Sequence, residues 1–123
     1  MNSLAYNAYV QNNVGIESPE KLIEMLYEGV LRFNVQALRS IKSNDIEKRT
    51  YWVNRSMAIF VELLQTLDLN QGDIAHYLSG LYNYQIKLLM EANFDNNAQK
   101  LEEVNGVVRG LLEAWRETTG VGR

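Results

Sequence analysis

The sequence predicts an all-α fold, an antiparallel up-down four-helix bundle with a short N-terminal arm or helix, on three observations. Four stretches of about twenty residues place apolar side chains in alternating steps of three and four. The breaks between them are short and polar: Lys42-Ser43-Asn44-Asp45, Asp68-Leu69-Asn70-Gln71-Gly72 and Asn93-Phe94-Asp95-Asn96. No stretch alternates apolar and polar residues at the period of a strand. Short connections make consecutive helices antiparallel, and three-four alternation favours shallow left-handed crossings.

Residues 1–17 stand apart as an arm rich in asparagine and small residues. Tyr6, Tyr9 and Val10 are spaced for one amphipathic turn, which is marginal in water unless it docks. The bundle is expected over 18–117. Its first helix opens at Ser18-Pro19-Glu20, where serine caps free N–H groups, proline at the first position loses no hydrogen bond, and Glu20 meets the positive end of the helix dipole. It runs to about Ile41. Asn44 and Glu47 are spaced like a capping box for the second helix, which reaches Leu67. That helix has a core seam of Ile46, Thr50, Val53, Met57, Phe60, Leu64 and Leu67. The third carries Ile74, Leu78, Leu81, Gln85, Leu88 and Ala92, and the fourth Leu101, Val104, Val108, Leu111 and Trp115. Residues 118–123 read as a frayed tail.

The 123 residues suit one domain, and 46% hydrophobic content is enough for a core. With 22% charged residues and no apolar run near the length of a span, no membrane insertion is expected. The start, MNSLAYNAYV, lacks the basic and apolar regions of a Sec-type signal, and there is no cysteine, which fits a cytoplasmic setting. The net charge of −3 with scattered lysines and arginines gives no basic patch, so no nucleic-acid partner is expected.

Nothing supports catalysis, metal binding or a cofactor. His76 is the only histidine, and Asp73 three residues before it is half of a carboxylate-bridged di-metal pattern that lacks its second half. There is no haem attachment motif, no Ser-His-Asp set and no glycine-rich loop joining a strand to a helix. Glu24, Glu28, Glu62, Glu91 and Glu113 read as solvated charges. The chain is not expected to be an enzyme.

The apolar residues are more informative. On the first helix Leu22, Leu26, Phe33 and Ala37 can face a core. Tyr27, Leu31 and Leu38 lie roughly 100–180° away from Leu22. On the second, Trp52, Ile59 and Leu63 form an edge beside the seam, and on the third Tyr77, Tyr84 and Leu88 form another. The fourth has the narrowest apolar arc. Apolar surface beyond one seam on three helices predicts partly exposed grooves that accept a partner's amphipathic helix. A homodimer burying the same surface is the alternative, making the chain a helical adaptor.

A family resemblance joins these features. Ser18-Pro19-Glu20-Lys21-Leu22-Ile23 with Met25-Leu26-Tyr27-Glu28-Gly29 resembles the opening helix of the flagellin-specific export chaperones of the FliS type. So do the Tyr6-x-x-Tyr9 arm, Leu67-Asp68, Gly72-Asp73-Ile74-Ala75 with Leu78, Leu81-Tyr82 and Tyr84, Ala92-Asn93, and Leu111-Leu112-x-Ala114-Trp115. The likeness covers nearly the whole chain in order. It departs at Glu24 and Gln85, polar where an apolar residue would also fit.

The resemblance implies a cytosolic helical bundle that binds the disordered C-terminal region of flagellin. Such a protein prevents premature polymerisation and assists delivery to the flagellar type III export apparatus, with other flagellar proteins as further possible partners. It also implies that an N-terminal segment occupies a groove flagellin uses, here carried onto Tyr6, Tyr9 and Val10. The expected partner-binding residues are Tyr27, Leu31, Asn34 and Leu38 on the first helix, with Trp52, Ile59 and Leu63 on the second.

Overall fold

A computed structural model describes residues 18–121. Its elements are α1 (Pro19–Lys42), α2 (Ile46–Gln65), a 3₁₀ turn (Leu69–Gln71), α3 (Asp73–Asp95) and α4 (Ala98–Thr119), with no strand among the described residues. The four helices form the expected all-α bundle. Tyr6, Tyr9 and Val10 lie outside the described residues.

Local chemistry sets each boundary. Ser18 Oγ accepts from the Lys21 N–H at 3.1 Å, with Pro19 in the first helical position. The second helix departs from its expected cap. Asn44 adopts a left-handed φ of 62° to turn the chain, so Asp45 takes over the cap and accepts from the Lys48 N–H at 3.0 Å. Gly72, at φ 103°, swings the chain from the 3₁₀ turn into α3, a conformation open to residues without a Cβ. Asn96 ends α3 in the left-handed region, and Asn97 caps α4 through Oδ1. α4 continues to Thr119, where Gly120 closes it in the left-handed region, so the helix runs two residues into the segment read as tail.

Each helix packs against its chain neighbour, and α4 closes the ring on α1. Arg49 at the start of α2 reaches Asn93 near the end of α3, and Arg116 near the end of α4 reaches Glu24 near the start of α1. These pairs fix an antiparallel order. Phe60, Leu63, Leu89, Leu101, Val104 and Val108 are sealed at the centre. Ile46 and Ile74, both expected in core seams, are exposed instead. Each sits at the first or second position of its helix, where the side chain tilts past the end of the neighbouring packing.

The width of the apolar arc on α1 has a structural cause. Leu22, Leu26 and Phe33 lie on the side of Gly29, which faces α2: a Cβ at Gly29 would sit 2.7 Å from Ile59 Cδ1. Tyr27, Leu31, Asn34 and Leu38 lie on the other side, toward α4. A helix in a ring of four has two neighbours and needs two apolar faces. On α1 that surface is therefore covered by the two neighbouring helices, and on α2 Ile59 and Leu63 are buried while Trp52 is half-buried.

At mid-bundle Asn34 Nδ2 donates to Asn105 Oδ1 at 2.9 Å, both residues buried. Asn34 Oδ1, Ser56 Oγ and Gln85 Oε1 are buried without a partner. A lone buried amide costs more than the pair contributes. Asn105→Leu is therefore expected to lower stability by about 2 kcal/mol. Asn34→Leu with Asn105→Leu should recover most of that loss. Urea denaturation of the single and double variants measures the coupling.

Candidate functional site

Among the described residues, an opening lies between α3 and α4, at the end of the bundle where α1 begins. It is a groove of 630 Å³. Ile74 and Leu78 form one wall, and Leu111, Ala114 and Trp115 the other. Tyr27 and Tyr82 form the floor, with Ile23 and Leu67 closing the end. The lining is overwhelmingly apolar, and Ile74 is 64% exposed. Tyr77 and Tyr84 extend the Ile74 wall outward along α3 as exposed rings, with Lys87 Nζ 5.8 Å from the centre of the Tyr84 ring.

The groove is held in shape by polar contacts. Trp115 Nε1–H donates to the backbone carbonyl of Glu20 at 2.9 Å, fixing the indole as a wall. The Tyr27 and Tyr82 hydroxyls lie 2.5 Å apart and join α1 to α3 across the bundle. Beside the groove, Glu24 ties the start of α1 to the end of α4. Its Oε1 accepts from Lys21 Nζ at 2.7 Å and its Oε2 from Arg116 Nε at 2.7 Å, while Arg116 Nη2 donates to Glu28 at 2.8 Å. Glu24 is only 1% exposed, which corrects its reading as a solvated charge: the two cations let the carboxylate be covered.

Hydrogen bonds from Lys21 first and Arg116 second hold the Glu24 carboxyl below its ordinary pKa. A carboxylate lowered in the folded state stabilises the fold above its unfolded pKa, and that contribution fades as pH falls through the lowered value. Glu24→Gln should therefore be less stable than the parent at pH 7. The gap should close on acidification below about pH 4, the ordinary carboxylate range. Thermal unfolding of both chains between pH 7 and pH 3 checks this.

The residues singled out in the sequence fall elsewhere. Asn34 and Leu63 are fully buried, and Ile59 is covered by the approach of Gly29. Leu31 and Leu38 are half-buried against the core. Trp52 is half-buried, its ring centre 5.7 Å from that of Phe33 and 4.8 Å from that of Tyr51, with the Arg55 guanidinium 4.8 Å over Phe33. Together Phe33, Arg55 and Ile59 border a smaller cleft of 250 Å³ between α1 and α2. Of the seven, Tyr27 alone lines the larger groove, from below. The exposed edge expected on α3 is present at Tyr77 and Tyr84, while Leu88 is buried.

Sequence reasoning missed Ile74, Leu78, Leu111 and Trp115 as site residues because their spacing is that of a core seam. The signal was the pairing of that seam with the exposed tyrosines Tyr77 and Tyr84, about one and nearly three turns beyond Ile74 on α3. Asp73 and His76 are exposed at the start of α3, and no three His, Cys, Asp or Glu side chains converge among the described residues. No described helix is long and apolar enough to cross a membrane.

A family model described as flagellar protein FliS matches residues 1–121. The chain is 60% identical over 117 residues to the flagellar secretion chaperone FliS of Campylobacter jejuni, covering 94% of this chain and 91% of that protein. It is 36% identical over 110 residues to the protein of the same name from Salmonella typhimurium, covering 88% and 82%. The Bacillus subtilis protein of that name is 33% identical over 112 residues, covering 91% and 84%.

Proposed function

The chain belongs to the FliS family of flagellar secretion chaperones, and on that premise we propose that it holds the C-terminal region of flagellin in the α3/α4 groove. It acts in the cytoplasm by binding alone, keeps flagellin from polymerising early, and passes it to the flagellar type III export apparatus. The observation that supports this reading is an apolar groove of 630 Å³ that the described residues leave uncovered beside a packed core. A disordered client loses conformational freedom on binding, so useful affinity needs a long apolar contact. The groove with its tyrosine extension along α3 supplies one. Tyr27 stays in the site, while Leu31, Asn34, Leu38, Trp52, Ile59 and Leu63 hold α1 against its neighbours.

In the free protein the arm, residues 1–17, lies in this groove through Tyr6, Tyr9 and Val10. Pro19 and Glu20, at the start of α1, are part of its lining. The test is calorimetry with a peptide of the flagellin C-terminal region. The full chain is expected to bind one peptide per bundle, and deletion of 1–12 should tighten the binding. Absence of binding, with light scattering showing a dimer that ignores the peptide, would favour the homodimeric adaptor. Binding unchanged by the deletion would remove the arm from the groove.

A further inference from the structure

Tyr27 and Tyr82, both buried, are among the lining residues of the groove and carry hydroxyls where two plain rings would bury as much apolar surface. Tyr27 comes from α1 and Tyr82 from α3, and their oxygens share one hydrogen bond of 2.5 Å. Each phenol has one hydrogen and can also accept. One hydrogen fills the bond between the two oxygens, and the second is left over. Neither hydroxyl has another protein partner among the described residues. Burial raises both phenol pKa values, so both hydrogens are present at neutral pH.

We propose that the Tyr27–Tyr82 hydroxyl pair selects the client by one polar group: the segment entering the groove sets a Ser, Thr, Asn or Gln side-chain oxygen on the pair. The inference rests on the α3/α4 groove being the client site. When neither the arm nor a client covers the pair, water can take the spare hydrogen. An apolar segment that displaces this water leaves a buried donor unsatisfied, and a segment that brings one acceptor does not. The pair therefore discriminates against wholly apolar segments that the greasy walls alone would accept.

The test pairs the full chain and its Tyr27→Phe, Tyr82→Phe and double variants with a peptide of the flagellin C-terminal region. A panel of the same peptide has each Ser, Thr, Asn and Gln replaced in turn by alanine. One alanine replacement is expected to weaken binding to the parent chain about tenfold. The double Phe variant should bind the unmodified peptide about tenfold more weakly, and the two losses should not add. Each single Phe variant keeps one hydroxyl that can donate and should lose less affinity than the double variant. If no alanine replacement weakens binding to the parent chain, the inference falls, whether or not the double variant folds. It also falls if the double variant folds and binds the unmodified peptide as the parent does. If the parent chain binds no peptide of the panel, the client reading itself fails, and this inference with it.

Discussion

Phe60→Ala is expected to lower the stability of the bundle by about 4 kcal/mol. Phe60 is fully buried on α2, and its ring centre lies 6.0 Å from that of Tyr82. Removing the ring takes away its transfer energy and leaves a void that a close-packed bundle fills only in part. Against a total stability of about 5–15 kcal/mol for a domain, this is a large share. The midpoint of thermal unfolding should fall by about 15 °C. Phe60→Leu should cost well under half as much. Tyr82 also loses its support in the alanine variant, so the groove floor loosens together with the core. Urea denaturation with an unchanged slope but a much lower midpoint is the expected reading. A loss below about 1 kcal/mol would show that the ring is not packed as described.

Ile74→Asp is expected to weaken flagellin-peptide binding about a hundredfold without unfolding the chain. The side chain is largely solvent-facing, so the fold does not depend on it. Aspartate in the first turn of a helix is also favourable to the helix dipole. What changes is the groove wall, where a bound apolar segment would have to bury a carboxylate. Phe94→Asp provides the control. Phe94 is 89% exposed at the far end of the same helix, and its replacement should leave affinity unchanged. Equal affinities for the parent and the Ile74 variant would remove the α3/α4 groove as the client site.

The fold was legible because its signals were local. The Ser18-Pro19 start, the polar breaks and the seams of Val53, Phe60, Leu88, Val104 and Val108 each act within a few residues, and the structure follows them. The site was less legible because exposure depends on which helix covers which face. Tyr27, Leu31, Asn34 and Leu38 carry the same periodicity whether α4 or solvent stands opposite, and only the ring order of the helices decides. Ile74 and Trp115 show the converse. Their spacing is that of core residues, yet Ile74 is exposed at the start of α3 and Trp115 is half-buried in the groove lining. Glu24 was misread for a related reason, since its second partner, Arg116, is distant in sequence and reaches it only when α4 folds back on α1.

The chain has two tryptophans, and they report on different places. Trp115 forms part of the groove wall with its indole nitrogen already engaged by Glu20, whereas Trp52 sits over the seam of α1 and α2. Replacing Trp52 by phenylalanine would leave a single tryptophan, which can be excited selectively over the tyrosines, positioned at the opening. Its emission would shift to the blue when any apolar occupant excludes solvent, so occupancy could be followed in real time on an unlabelled protein.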